Sequence, residues 1–454
     1  MNRTPLCSNR LENLARRVRE TEVIRNHGRV VQLIGLVIES EGPLASVGEI
    51  CRIESAGHNG STLAEVVGFR NHHVLLMPLG ELHGIHPGAE VIALGSSLRV
   101  PVGDELMGRV IDGLGRPLDD LGGIHTPGDV SLNMQPPHPL KRQRISKGFR
   151  TGIKALDTFI PCGRGQRLGI FAGSGVGKST LLGMIASQAE ADVNVIALIG
   201  ERGREVREFL EKDLDEKGRK KSVVIVATSN QPAIARLKGA FVAMAVAEHF
   251  RDQGRNVLLM MDSVTRFAMA QREIGLAVGE PPATRGYTPS VFSLLPQLLE
   301  RAGSGETGSI TGLFTVLVEA DDMNDPIADA VRSILDGHVV LTRELATRNH
   351  YPAIDVLESV SRLTRDLTTP DQQKLTSRGR EALANYRKNQ DLINIGAYPA
   401  GTNPAIDLSI HLHEPLNAFL RQGIDQGFSA EQSWAGLTQT MSTPMPAKPT
   451  PAKR

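Results

Sequence analysis

Hydrophobic and polar positions change their spacing several times along the 454-residue chain. Residues 26–95 hold short β-branched runs, such as RVVQLIGLVIES and LAEVVGF, separated by Gly, Asn, Pro and His. Runs of this length and spacing predict the strands of a small all-β barrel. Residues 96–146 are rich in Gly and Pro and end in PPHPLKR, which predicts a stiff, extended connector rather than a buried element.

Between residues 147 and 375, near-continuous apolar runs alternate with helical patterns. This alternation predicts an α/β core in which a parallel sheet is covered on both faces. The predicted strands are Leu168–Phe171, Val193–Ile199, Val223–Thr228, Val257–Met261 and Leu313–Val318. Residues 376–440 have helical patterns without strand runs, and the low-complexity residues 441–454 predict a disordered tail.

The first 25 residues are basic, and Leu11, Leu14 and Val18 fall at helical spacing. One interpretation is a short solvated helix. The other is a helix that docks on a partner protein or on a membrane surface.

Composition argues against several classes of protein. Lys and Arg total 51 against 50 Asp and Glu, so the formal charge is +1, which argues against a protein that mainly coats nucleic acid or an acidic membrane. Cys7, Cys51 and Cys162 form no CxxC pair and predict reduced thiols in a cytosolic protein, without a zinc site. No apolar run approaches the roughly 20 residues that span a bilayer.

The segment RLGIFAGSGVGKSTLLG at 167–183 carries the strongest chemical signal. A predicted strand runs into a glycine-rich turn and then into a helix that opens at Lys178, which is the arrangement of a phosphate-binding loop. Lys178 can reach the β and γ phosphates, and the Ser179 hydroxyl can ligate Mg²⁺, so the motif predicts ATP with Mg²⁺. Ala172 stands where the general pattern has Gly. The predicted nucleotide-binding residues are Gly173, Ser174, Gly175, Val176, Gly177, Lys178, Ser179 and Thr180.

Two carboxylates follow other predicted strands. Asp262 ends the apolar run NVLLMMD, and ligands of a parallel sheet lie at the carboxyl ends of its strands, so Asp262 is the predicted second metal ligand. Glu201 follows the strand in ALIGERGREVREF and could polarise the attacking water. Spacing alone leaves a solvated start of a helix as the alternative for Glu201.

Several segments resemble the catalytic subunits of rotary-type ATPases, and among them the protein-export ATPases of flagellar and type III secretion systems. They are TGIKALDTFIPCGRGQRLGIFAGSGVGKSTLL (151–182), GERGREV (200–206), ATRGYTPSVFSLLPQLLERAG (283–303), VLVEADDMNDPIADAVRSILDGH (316–338) and NHYPAIDVLESVSRL (349–363). The resemblance covers roughly residues 26–430. It implies a RecA-like P-loop core between an N-terminal β-barrel and a C-terminal helical domain.

The resemblance also implies roles for single residues. Glu201 matches the catalytic glutamate, and Arg202 the adjacent phosphate contact. Tyr351 matches the aromatic residue that stacks on adenine, and Arg362, in SVSR, the arginine finger that reaches the neighbouring subunit's γ-phosphate. A planar guanidinium suits the charge that develops during phosphoryl transfer. The residues alone leave a core tyrosine and a surface arginine as the alternatives.

A chain that combines Lys178, Glu201 and an arginine finger can build six like sites in a head-to-tail homohexamer. A non-catalytic nucleotide-binding ring subunit is a competing hypothesis, which Glu201 disfavours. A Rho-like translocase on nucleic acid is another, but residues 26–95 offer one aromatic, Phe69, for base stacking. A subunit of a rotary ATP synthase is disfavoured because the carboxyl-terminal region has no acidic DELSEED-like stretch.

The resemblance implies partners and a location: a regulatory, stator-like protein at residues 1–25, a central stalk protein, export-gate membrane proteins and chaperone–substrate complexes, with no nucleic acid. The protein would be cytoplasmic and peripheral at the inner face of the plasma membrane. GEICRIE (48–54) and PLNAFLRQ (415–422) favour flagellar export over a virulence injectisome, which stays the alternative. The roles of Asp321, Asp322, Asp325 and Tyr398, the last a second candidate near the adenine, are left open.

Overall fold

The computed structural model describes residues 26–54, 60–318 and 322–443, which fall into two compact units divided between Leu98 and Arg99. The predicted segment 1–25 and the tail from residue 444 lie outside the described residues. No helix within the described ranges is both long enough and apolar enough to cross a membrane.

The first unit is a closed six-stranded barrel with the strand order β1-β2-β5-β4-β3-β6. Alternate side chains point inward, and Ile38, Ile53, Leu76 and Val91 are fully buried there. The predicted barrel is therefore confirmed. Its strands are β1 (His27–Ile34), β2 (Val37–Glu41), β3 (Glu49–Glu54), β4 (Ser61–Arg70), β5 (His73–Pro78) and β6 (Glu90–Ser97).

The second unit is built on a mostly parallel sheet with the order β19-β18-β12-β17-β15-β13-β14-β8, and β16 pairs with β17. The predicted parallel sheet is confirmed, and β19 is antiparallel to β18 at one edge. The strands of this unit are β7 (Arg99–Val102), β8 (Val110–Asp112), β9 (Gly128–Ser131), β10 (Gly148–Phe149), β11 (Cys162–Gly163), β12 (Arg167–Ala172), β13 (Val193–Ile199), β14 (Ser222–Ala227), β15 (Asn256–Asp262), β16 (Gly303–Ser304), β17 (Ser309–Leu317), β18 (Gly337–Leu341) and β19 (Ile354–Ser361).

Helices cover both faces of this sheet. The α-helices are α1 (Lys154–Phe159), α2 (Lys178–Gln188), α3 (Gly203–Glu208), α4 (Glu216–Lys220), α5 (Ala233–Asp252), α6 (Val264–Val278), α7 (Pro289–Leu299), α8 (Pro326–Ile334), α9 (Arg343–Thr347), α10 (Thr364–Leu367), α11 (Pro370–Asn394), α12 (Pro404–Leu420) and α13 (Ala430–Met441). A π turn, Phe209–Asp213, extends α3, and single 3₁₀ turns lie at Asp104–Leu106, Pro139–Lys141 and Thr284–Gly286.

The predicted connector differs from the structure at two strands. β7 pairs with β9, and its Val100 is fully buried. β8 runs parallel to β14 and completes the edge of the central sheet, and Ile111 is fully buried. The prediction that 96–146 contributes no buried element is therefore wrong at residues 99–102 and 110–112. Three residues between glycine-rich turns are too few to produce a strand period in the sequence.

The three long carboxyl-terminal helices belong to the core of the second unit. α11 and α13 begin with capping boxes at Thr369 and Ser429, in which the side chain and the backbone of the cap residue bond reciprocally to a glutamine three residues later. Leu412, Leu416 and Leu437 are buried in the same apolar cluster as β12. This packing brings the end of α12 close to the phosphate loop.

Candidate nucleotide site

The loop between β12 and α2 has the shape that phosphate binding requires. Gly175 and Gly177 adopt left-handed φ angles of 78° and 86°, a conformation that glycine reaches without strain. No side chain caps the start of α2, so its first N–H groups are available to an anion. Ser174 and Gly175 are exposed at the loop tip, Val176 is buried beneath it, and Thr180 is hydrogen-bonded to Asp213.

Lys178 lies between the two carboxylates that follow neighbouring strands. Its Nζ makes a short contact with Asp262 Oδ1 and lies 3.6 Å from Glu201 Oε1. The parallel register explains why Glu201 and Asp262 lie close together, because Leu198 of β13 pairs with Asp262 at the end of β15. The three side chains are only 12%, 5% and 13% exposed, so the charges interact in a poorly hydrated pocket. The structure thus brings together Lys178, Glu201 and Asp262, as the sequence predicts.

Thr315 of β17 is a member of this site that the sequence reasoning missed. Its hydroxyl is fully buried and donates to Asp262 Oδ1 at 2.7 Å. A polar residue inside the apolar run LFTVL was the available signal. With Lys178, Thr315 fixes the orientation of the Asp262 carboxylate.

The oxygen donors at this point fit Mg²⁺. The Asp262 carboxylate is almost fully buried at the carboxyl end of β15, and the Ser179 hydroxyl lies in the first turn of α2, directly after Lys178. Mg²⁺ prefers one or two protein oxygens, with substrate phosphates and waters as its remaining ligands. The described residues contain no cluster of three or more His, Cys, Asp or Glu side chains that could hold a metal ion.

Glu201 is tuned as a proton acceptor. Burial raises its pKa to about 7; the Lys178 charge opposes this rise, and the Asp262 charge adds to it. A hydrogen bond joins Glu201 to Glu205, and this bond raises the pKa of Glu201 and lowers the pKa of Glu205. Glu201 Oε1 is buried without a hydrogen-bond partner, which leaves it available to a ligand water. Glu205 was not predicted from the sequence.

Tyr351 lies beside the phosphate loop. Its ring Cε1 is 3.3 Å from the position that a Cβ would occupy on Gly177, and the residue is 41% exposed. The backbone N–H of Gln422, just after α12, donates to the Tyr351 carbonyl at 2.9 Å. The half-exposed ring therefore presents an aromatic surface at the loop, which fits the predicted stacking on adenine.

Two arginines lie close to Glu201 besides Lys178: Arg202 follows it in the chain, and Arg266 packs against the preceding residue, Gly200. Arg202 is 77% exposed, and its Nη1 is 3.7 Å from Glu205 Oε1, so its predicted phosphate contact stays a prediction. Arg266, which was not predicted, packs its stem against Gly200, where an added Cβ would come within 2.7 Å of Arg266 Cβ. Its Nε is buried without a partner. Its place in the first turn after Asp262 was the signal in the sequence.

Arg362 lies at the opposite edge of the sheet from its own phosphate loop. Its backbone N–H donates to the Asp336 carbonyl, and the Asp336 N–H donates to the Arg167 carbonyl, so Arg362 is level with the start of β12. Gly173 lies six residues along the same strand direction, a separation of about 20 Å. This exceeds the length of an arginine side chain, so Arg362 cannot serve the nucleotide of its own chain.

The residues left open by the sequence have structural partners. Asp322 accepts from Arg285 at 3.1 Å, and Asp325 caps α8 by accepting from Ile327 N at 2.9 Å. Asp321 lies outside the described residues.

Tyr398 lies near the start of α12, at the other end of that helix from the Gln422 that bonds to Tyr351. Its hydroxyl bonds to Asp407 at 3.0 Å, near the start of α12, whereas Gln422 lies beyond the other end of that helix. The two ends of α12 are about 24 Å apart at 1.5 Å per residue.

Three parts of the chain match known domain families. Residues 30–95 match the β-barrel domain and residues 152–361 the nucleotide-binding domain of the ATP synthase alpha/beta family. Residues 368–439 match the T3SS EscN ATPase C-terminal domain. The last match agrees with the absence of a DELSEED-like stretch and separates the chain from the ATP synthase subunits.

Relatives of two kinds are similar over nearly their whole length. The flagellum-specific ATP synthase of Bacillus subtilis is 54% identical, covering 92% of this chain and 96% of its own. The type 3 secretion system ATPase of Xanthomonas euvesicatoria is 48% identical, covering 96% and 98%. The assembled ATPase EscN of the enteropathogenic E. coli type III secretion system has a TM-score of 0.87 and 46% identity, over 91% of this chain and 100% of that one.

These matches confirm the resemblance, the fold and the ATPase activity that the sequence predicts. The site geometry agrees with them, because a phosphate loop, a buried carboxylate pair and their shared lysine meet at one edge of the sheet. The chain belongs to the ATP synthase alpha/beta family, and within it to the ATPases of flagellar and type III protein secretion.

Proposed function

We propose that this ATPase works as a homohexameric ring that energises the export of flagellar proteins. The observation that carries the proposal is the position of Lys178, on the phosphate loop and between Asp262 and Glu201. Such a constellation can hold a nucleoside triphosphate, its metal ion and an attacking water in line.

Each residue has a separate task in hydrolysis. Lys178 and the N–H groups of residues 173–178 bind and orient the phosphates. Ser179 and Asp262 would hold Mg²⁺, which supplies charge neutralisation on the phosphate oxygens. Glu201 orients the attacking water and accepts its proton, which suits a carboxyl whose pKa burial raises to about 7.

The ring follows from the position of Arg362. A guanidinium about 20 Å from its own loop can stabilise a transferring phosphoryl group only at a neighbouring subunit. A head-to-tail arrangement of identical chains repeats this contact and closes into a ring. The relative EscN has been solved in an assembled form, which supports a ring for this chain.

The proposed partners are those of an export machine. EscN has also been solved in complex with its central stalk EscO, which supports a stalk protein for this chain. We further propose a regulatory protein at residues 1–25, export-gate membrane proteins, and chaperone–substrate complexes that hydrolysis would release and unfold. With these partners, we propose that the ring works in the cytoplasm, at the inner face of the plasma membrane.

Steady-state ATP hydrolysis tests the catalytic part of the proposal. Lys178→Ala should lose nucleotide binding and turnover together, whereas Glu201→Gln should bind ATP and fail to hydrolyse it. Glu211→Gln, whose exposed carboxylate pairs with Arg207, is the control and should retain its turnover. Steady hydrolysis by Glu201→Gln would remove Glu201 from its role, and a several-fold stimulation by RNA or DNA would favour a nucleic-acid translocase.

The second candidate is an injectisome ATPase, which the 48% identity to the Xanthomonas protein supports. The two uses differ in the export apparatus served rather than in the site. Expression in a flagellar-ATPase deletion strain separates them: restored motility supports flagellar export, and restored effector secretion in an injectisome deletion strain without restored motility would support the alternative.

A further inference from the structure

A buried hydrogen-bond network lies directly beneath Arg362, at the amino-terminal edge of the sheet. Its centre is Gln166, which is fully buried and immediately precedes β12. The Gln166 carboxamide donates to the Asp336 carbonyl and to Ser361 Oγ, both at 3.1 Å, and accepts from Gly163 N at 2.8 Å. The Gln166 side chain therefore connects the start of β12 by hydrogen bonds to the residue before β18 and to the last residue of β19.

Arg362 takes its backbone position from the same network. Its N–H donates at 3.0 Å to the Asp336 carbonyl, the oxygen that also accepts from Gln166. The hydroxyl of the preceding residue, Ser361, donates a hydrogen bond to the Pro161 carbonyl at 2.7 Å. The Arg362 side chain is exposed, and its Nη2 makes one long hydrogen bond, 3.4 Å, to the Arg332 carbonyl. The backbone of Arg362 is thus held firmly and its side chain weakly.

An ion pair reinforces the same corner. Arg167 donates to both carboxylate oxygens of Asp336 at 3.1 Å, and its other terminal nitrogen lies 2.5 Å from Glu300. Arg167 is the first residue of β12, and the phosphate loop follows the last residue of this strand. One strand therefore supports two different sites. The loop serves its own chain, and the start of the strand supports the guanidinium offered to the neighbour.

We propose that Gln166 is a positioning residue for Arg362, which acts through the Ser361 hydroxyl and the Asp336 carbonyl. The inference rests on the proposed role of Arg362 in the neighbouring subunit. Its distinguishing consequence is directional, because damage to Gln166 should impair the site that receives the arginine and spare the site on the same chain.

Mixed rings test this direction. A donor chain carrying Lys178→Ala cannot hydrolyse ATP but offers Arg362, and a recipient chain carrying Arg362→Ala has an intact nucleotide site. Gln166→Met keeps the length of the side chain and removes its hydrogen bonds. Added to the donor, it should lower the turnover of the mixture about tenfold, since small displacements of catalytic groups have effects of this size. Added to the recipient, it should change turnover less than twofold.

Ser361→Ala provides the milder second variant and should show the same asymmetry. Ser359→Ala, on the same strand and fully buried but bonded to Asp355 and Val340 instead, is the matched control and should show none. Equal losses from Gln166→Met in donor and recipient, or a larger loss in the recipient, would overturn the positioning role. An unmodified donor–recipient mixture that recovers no activity would instead overturn the proposed trans role of Arg362, and the positioning role with it.

Discussion

The substitution Glu201→Gln should stop hydrolysis and, at the same time, stabilise the nucleotide-free chain. Burial raises the pKa of Glu201 from an ordinary 4.5 to about 7, so the carboxylate is costly to form in the folded protein. The side chain is 13% exposed, and water therefore screens little of this cost. A carboxamide has no charge to bury and can still donate a hydrogen bond to Glu205.

The stabilisation should depend on pH in a defined direction. Below pH 4.5 the side chain is protonated in both the folded and the unfolded chain, so no penalty exists. Between 4.5 and about 7 the folded chain keeps a proton that the unfolded chain has lost, and its stability falls as pH rises. The gain from Glu201→Gln should therefore be about 3 kcal/mol at pH 8 and about 1 kcal/mol at pH 5.

Urea unfolding measures this difference. Trp434 is the one tryptophan of the sequence and packs against the core of the second unit, so its fluorescence reports on the unit that contains Glu201. A gain of about 3 kcal/mol should raise the midpoint by roughly 0.5–1 M urea. Glu205→Gln should give no stabilisation, because the pKa of Glu205 is lowered. A Glu201→Gln chain that is less stable at pH 8, or equally stabilised at both pH values, would refute the burial argument.

Three further predictions concern other buried polar groups. Burial lowers the pKa of His350 to about 4, so in urea unfolding His350→Phe should gain up to about 3 kcal/mol relative to the wild type as pH drops from 6.5 to 4. Glu248→Gln leaves the Arg301 guanidinium, 3% exposed, without its ionic partner and should cost about 3–5 kcal/mol in urea unfolding, whereas replacing both by apolar residues should restore much of the loss. Thr315→Val removes the hydroxyl that orients Asp262 and should raise the Mg²⁺ concentration for half-maximal hydrolysis about tenfold, with ATP affinity measured in EDTA unchanged.

The sequence predicts what local patterns encode. Five strands of the central sheet are predicted correctly because buried parallel strands are near-continuous apolar runs, and β13 is found at its observed bounds, Val193–Ile199. β18 and β19 of the same sheet are not among the predicted strands. The phosphate loop can also be predicted from the sequence, because the backbone conformation of the loop requires glycines at this spacing. β8 is missed because its partner, β14, lies more than a hundred residues further along the chain.

The site features that the sequence does not predict depend on contacts between strands that are far apart in the chain. Thr315 contacts Asp262 because β17 and β15 are neighbours in the sheet, and hydrophobic periodicity does not predict which strands pair. The burial that tunes Glu201 likewise depends on the assembled pocket. The position of Arg362 depends on the reversed direction of β19, which moves the residue to the far edge of the sheet. The sequence suggests an arginine of this kind by resemblance, and topology supplies the reason that it must act on a neighbour.

Mixing the Lys178→Ala and Arg362→Ala chains tests the central claim most directly. Each variant alone should be nearly inactive. In random hexamers of equal parts, a site is complete when an intact loop meets an intact arginine from the next chain, so up to about a quarter of wild-type turnover should return. Mixing Lys178→Ala with Glu201→Gln is the control and should recover nothing, because both residues belong to the same half of the site. No recovery in the first mixture, or equal recovery in both, would contradict an active site shared between subunits.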